Sequence, residues 1–306
     1  EQNHEATNLT WSIVESVPVH EDIKKQTGNY REYIRNYQQT LRNLAECGIK
    51  IVIYNFMPII DWTRTDLAYR LPNGVRALRF DYFEFAAFDL YILQRRAAEL
   101  DSTTQEQIQA RNVFDAMDET TRHRLIRNIT AGLPGAEESF TLEEFNAALE
   151  EYREINAERL RSHLFAFLRE IMPVADECGV RVAIHPDDPP RPMFGLPRIL
   201  SNEQDISLLI NNFSSPNCGL NICAGSLGAS EANDLEKFIR TWGARIPFVH
   251  LRSVQREADG SFYEAEHIAG STNLAKLVKA VLDVEKQFSC EIIIRPDHGH
   301  QMLDDQ

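Results

Sequence analysis

The chain has 306 residues, 43% of them hydrophobic and 25% charged, which suits a soluble globular protein able to bury one large core. Its formal charge of −14 would repel a nucleic-acid backbone, and no apolar stretch approaches the roughly 18 residues that cross a bilayer. Glu1–Thr7 lacks the basic and apolar regions of a signal peptide, and five scattered cysteines fit reduced thiols in a cytoplasmic protein better than a disulfide framework.

The first strand-like run lies near Trp11–Glu15 and carries Glu15 at its end. Tyr33, Ile34, Tyr37, Leu41 and Leu44 then recur at helical spacing, and Gly48 closes that helix at its C′ position. A second strand, Ile51–Asn55, delivers the Asn55 amide, and Asp61-Trp62-Thr63-Arg64 follows directly. Glu15, Asn55 and Arg64 read as contacts for a polyol acid, the alternative for Arg64 being an ordinary surface loop.

Residues 61–170 form a long, charged, mostly helical insertion. Thr141 and Glu144 are spaced as a capping box, and Gly132-Leu133-Pro134-Gly135 breaks the segment in two. An insertion on a βα loop falls on the catalytic face of a barrel, where it acts as a lid; the other reading is a packing or dimer element. Phe80, Tyr82, Phe83, Phe85 and Phe88 suit either a lid core or a homodimer face.

Glu177-Cys178-Gly179 repeats the earlier Glu46-Cys47-Gly48 joint and leads into a third strand, Arg181–His185. A lone histidine after a strand is ordinarily structural. Here His185 opens a rigid polar turn containing Asp187, Asp188, Arg191 and four prolines, which favours metal or substrate contact, with Asp187 and Arg191 on the substrate side. The fourth strand, Gly219–Cys223, ends in a thiol. A free cysteine is ordinarily a small buried hydrophobe; Cys223 gains weight only from histidines at equivalent strand ends. Cys47, Cys178, Cys218 and Cys290 take the ordinary reading.

Leu235, Phe238 and Ile239 mark the next helix, followed by the fifth strand, Ile246–Arg252. His250 and Arg252 point the same way by strand alternation, and Arg252 offers a fork for a carboxylate. Glu264 and His267 read as supporting groups or as a solvated loop. Leu274, Leu277, Val278 and Val281 precede the sixth strand, Glu291–Arg295. Beyond it, Asp297 can bind metal, His298 can transfer a proton beside it, and His300 can support them.

Six buried runs alternating with helices make a parallel α/β sheet, read here as a single TM-free TIM (β/α)8-type barrel domain over 1–306. Ligands in such sheets sit at the carboxyl ends of the strands, where two imidazoles, a thiolate and a carboxylate converge on one divalent cation. Six strands fall short of the eight of a closed barrel, so the sheet is open or the chain is part of a longer one. No Gly-rich loop for a phosphate follows the last strand.

Several stretches resemble the D-mannonate dehydratase family, whose fold is a TIM barrel related to xylose isomerase. They are Val14–Lys24, Tyr54–Pro58 with Asp61–Leu67, Arg79–Asp81, Ala131–Glu138, His185–Arg191 and Arg295–Asp305. The resemblance implies metal ligands at His185, Cys223, His250 and Asp297, a proton-transfer role for His298, and Mn²⁺ or Fe²⁺ as cofactor. It implies dehydration of D-mannonate to 2-keto-3-deoxy-D-gluconate in glucuronate catabolism by a homodimer. It also implies a βα unit ahead of Trp11 and a segment after Asp305 with a catalytic tyrosine, neither of which has a counterpart in these residues. Two rival readings remain: a metal-dependent sugar isomerase or epimerase, against which Cys223 speaks, and an incomplete barrel that binds metal or sugar acid without turnover.

Overall fold

The computed structural model describes residues 9–131 and 140–302. Ten strands lie among them: β1 (Ile13–Val14), β2 (Ile51–Tyr54), β3 (Asp66–Arg70), β4 (Arg76–Phe80) and β5 (Arg181–Ile184). The rest are β6 (Cys218–Cys223), β7 (Phe248–Leu251), β8 (Val254–Arg256), β9 (Phe262–Glu264) and β10 (Ile293–Pro296). Six of them form one parallel sheet in the order β1-β2-β5-β6-β7-β10, which curls into a half-barrel of TIM type. All six are the strands expected from the sequence, with ends differing by one or two residues.

Alternation along these strands separates two environments. Val52, Tyr54, Val182, Ile184, Leu220, Ile222 and Val249 face outward into the main core with the helices. Ile51, Ile53, Ala183 and Phe248 form a second, smaller cluster with Ile13 and Ile293 on the concave face. The same two-residue step carries that face on to Glu15, Asn55, His185, His250 and Arg295 at the carboxyl rim. Register completes the arrangement, since Cys223 pairs with His250 and His250 with Arg295 across neighbouring strands.

The covering helices start and stop where the sequence directs. Tyr30–Glu46 buries Ile34, Tyr37 and Leu41 and packs against the long helix Ala157–Cys178. Gly48 (φ 84°) and Gly179 (φ 64°) take left-handed conformations after these two helices, which a side chain would strain. The Thr141–Glu144 capping box is present, and Thr103 with Glu106 makes another. The break at Gly132–Gly135 and much of the Ala131–Glu138 motif lie outside the described residues.

The insertion departs from expectation at its start. Instead of running into helix, residues 66–80 make a β-hairpin that joins β8 and β9 in an antiparallel sheet of order β3-β4-β9-β8. Its strands are short and amphipathic. Phe80 stacks on Phe262 at 5.5 Å, while Arg79 pairs with Asp81 at 3.0 Å and Glu257 at 2.7 Å. The segment after β10 returns to this sheet, with Ala77 bridging to His300 and the Gln301 N–H donating to the Arg76 carbonyl. Phe80, Tyr82, Phe85 and Phe88 are buried, and Phe85, Phe88 and Phe145 converge on Phe194. These aromatics are the interior of the insertion, which removes them as a dimer face.

Candidate metal centre

Three consecutive parallel strands end in a donor. His185 follows β5, Cys223 closes β6, and His250 lies in β7; their ligand atoms all stand within 4.8 Å of one another. The His185 Nδ1–H donates to the Pro186 carbonyl at 2.7 Å, which leaves Nε2 as the ring atom available to a cation. His250 is 1% exposed; its Nε2 is 3.2 Å from Glu15 Oε2 and its Nδ1 is 3.5 Å from Asp297 Oδ2, without a hydrogen bond.

Burial alone would push the Cys223 thiol up. The imidazoles of His185 and His250 outweigh that cost and hold it well below its ordinary range, which favours the thiolate form. Burial lowers His250, but Cys223 and Glu15 raise it to about 9. The Ser226 hydroxyl donates to the Cys223 sulfur at 3.2 Å, and Arg252 Nη1 approaches it at 4.0 Å. The Cys223 sulfur and two imidazoles, His250 with an unpartnered buried Nδ1, suit one borderline divalent cation.

A cavity of about 270 Å³ opens above this group, lined by Glu15, Asn55, Asp61, Trp62, Asp188, Arg252, Arg295, Asp297 and His298, among others. Asp297 does not fall within the three-donor group. Its carboxylate lies against His250 and is tied to Arg295 at 2.7 Å. His298 stacks on Trp62 with centroids 6.2 Å apart and planes 12° off parallel. Burial, then Arg252, holds its pKa below the ordinary histidine value, so the ring is neutral at neutral pH and able to accept a proton.

Beside the cavity lies a fully buried ion network. Arg64 pairs with Asp188 at 2.8 Å and Glu264 at 3.2 Å, and Arg252 pairs with Asp188 at 2.7 Å. Arg252 Nε donates to both Glu264 oxygens at 3.1 and 3.0 Å, and its Nη2 donates to Oε1. Glu264 thus couples the antiparallel sheet to the half-barrel rim.

Glu15, Asn55, His185, His250, Arg252, Asp297 and His298 all face the cavity, as expected from their strand ends. Four expected substrate contacts do not. Arg64 has no exposed surface and is consumed by Asp188 and Glu264. Asp187 accepts from the Leu200 N–H and the Ser201 hydroxyl at 2.7 and 2.8 Å, bracing its own loop. Arg191 lies 4.2 Å over the Tyr82 ring in a neighbouring cavity, and His300 lines a separate pocket with His267. The sequence names Asp188 only as part of its polar turn and leaves Glu264 between a supporting group and a solvated loop, whereas the structure places both against Arg252. Alternation fails in the proline turn that holds Asp188, while the Phe262-Tyr263-Glu264 pattern, with a buried aromatic two residues before the acid, was the available sign for Glu264.

Comparison with known proteins agrees along the whole chain. The family model for D-mannonate dehydratase (UxuA) matches residues 1–306. The mannonate dehydratase of Marinomonas sp. (strain MWYL1) is 53% identical over 307 residues, spanning 98% of this chain and 78% of that protein. That of Chromohalobacter salexigens is 52% identical over 306 residues, spanning 98% and 78%. Among solved structures, mannonate dehydratase from Streptococcus suis serotype 2 superposes with a TM-score of 0.72 at 30% identity, covering 99% of this chain and 72% of that one.

Proposed function

The chain belongs to the D-mannonate dehydratase family, and from that premise we propose that its rim cavity removes water from D-mannonate to give 2-keto-3-deoxy-D-gluconate. It is a hydro-lyase, and we assign its metal to His185, Cys223 and His250 with Asp297 alongside. The observation that carries this reading is the convergence of three donors from three adjacent strand ends, beside a neutral histidine and two arginines. The thiolate favours Mn²⁺ or Fe²⁺ over Mg²⁺. No helix among the described residues is long and apolar enough to cross a membrane, which accords with the cytoplasmic setting we assign to this sugar-acid chemistry.

The chemistry sets the demands on each group. The C2–H bond beside a carboxylate is weakly acidic, and its loss adds negative charge to an already anionic substrate. The C3–O bond breaks as C2–C3 becomes double, and hydroxide departs as water once it takes a proton; the enol then ketonises by protonation at C3. When bound, the divalent cation supplies Lewis acidity to the substrate oxygens. His298, neutral and at the cavity wall, accepts the C2 proton. Trp62 holds its ring in place. Asn55, which donates to Asp61 at 3.1 Å, presents a fixed polar edge to the substrate hydroxyls.

The test is water loss from D-mannonate with added Mn²⁺, comparing the unaltered chain with His298→Asn. The variant is expected to lose at least about a hundredfold in turnover while keeping its metal. Loss of metal instead would end the proton-transfer role.

A further inference from the structure

We infer that Arg295, not Arg252, receives the substrate carboxylate, an assignment that rests on the sugar-acid reading above. Two cationic side chains, Arg252 and Arg295, line the cavity among the described residues. Arg252 is the wrong candidate because its fork is already occupied: Nε and Nη2 go to Glu264, and Nη1 goes to Asp188. It is also only 1% exposed, so turning it toward a ligand would strand two buried carboxylates.

Arg295 differs on each point. Its side chain is 43% exposed, and one nitrogen, Nη2, carries both of its ion pairs, to Glu15 at 2.8 Å and Asp297 at 2.7 Å. Nε and Nη1 have no protein partner among the described residues. Phe248, with its ring 5.5 Å from the guanidinium carbon, supports the stem from the concave face. Strand register then fixes what a carboxylate held there would meet. Arg295 stands opposite His250 on β10 and β7, so a carboxylate on the Arg295 fork places the adjacent carbon next to the three-donor group. A guanidinium in that position gains strength as C2 loses its proton and charge accumulates on the carboxylate.

The experiment compares binding and turnover in the Mn²⁺-loaded chain and in Arg295→Gln and Arg295→Lys. D-mannonate and D-mannitol, a six-carbon polyol without a carboxylate, serve as binding probes. The unaltered chain should prefer D-mannonate; no preference would overturn the sugar-acid reading and the assignment with it. With that preference established, Arg295→Gln should erase it, raise KM by about tenfold to a hundredfold and lower kcat as well, with metal content unchanged. Arg295→Lys, which keeps charge without the fork, should fall between them and decides the matter if the Gln variant loses its metal. A preference and KM within about twofold of the unaltered chain in the Lys and Gln variants would overturn the assignment while leaving the sugar-acid reading intact.

Discussion

Gly225 follows Cys223 by two residues and lies directly against Arg252. A β-carbon there would stand 2.3, 2.4 and 2.5 Å from the Arg252 Cδ, Cγ and Nε, atoms of a stem pinned at its far end by Glu264 and Asp188. Gly225→Ala must therefore displace the guanidinium and leave two buried carboxylates short of a partner, a loss of roughly 3–5 kcal/mol in urea denaturation. Gly48→Ala is the control: no atom lies within 4 Å of its β-carbon, so only its φ of 84° costs, about 1 kcal/mol. Equal losses in the two variants would contradict this account. At this scale the sequence was readable wherever a strand set the direction of a side chain. His185, Cys223 and His250 each follow from a two-residue period. The Asp187-Asp188 pair does not, because a turn containing prolines carries no period, and only the coordinates separate the loop brace from the arginine partner.

At the level of elements, the antiparallel sheet is held to the half-barrel by a charge cluster with a defined pH response. Burial would raise the carboxyls of Asp188 and Glu264, but Arg64 and Arg252 outweigh it and hold both below the ordinary range. Folded pKa values below the unfolded value of about 4 mean that the stabilisation is complete above pH 4 and is lost as pH falls through the folded values. Urea midpoints should accordingly fall steeply on acidification below about pH 4. Glu264→Gln should lower the midpoint at pH 7 and flatten the acid slope; a slope unchanged from the unaltered chain would place the acid response elsewhere. This sheet was the part of the fold the sequence concealed. The six parallel strands announce themselves as Val- and Ile-rich runs because they are buried on both faces. Asp66–Arg70 and Arg76–Phe80 are exposed on one face and carry charges at close spacing, which resembles a solvated helix as readily as a strand.

Across the whole molecule, the metal would tie together the ends of β5, β6 and β7, three neighbours in the middle of the sheet rather than at its edges. A ligand that binds only the folded chain stabilises it by mass action, about 2.7 kcal/mol at a hundredfold excess over Kd, which amounts to several degrees in Tm. Chelation should reverse the gain. Two cysteines on β6 provide an internal test, since both are buried on the same strand and face opposite ways. Cys218 faces the main core, where burial pushes its thiol up to about 11, so it stays protonated and is no ligand. Cys223 faces the concave rim, where two imidazoles hold its thiol well below the ordinary range. Cys223→Ser should therefore remove most of the Mn²⁺-dependent rise in Tm, measured by thermal unfolding with and without chelator. Cys218→Ser should leave that rise unchanged within the error of the measurement, whatever it does to the baseline Tm. Equal losses of the metal-dependent shift in both variants would show that the sulfur on the concave face has no special part in holding the cation.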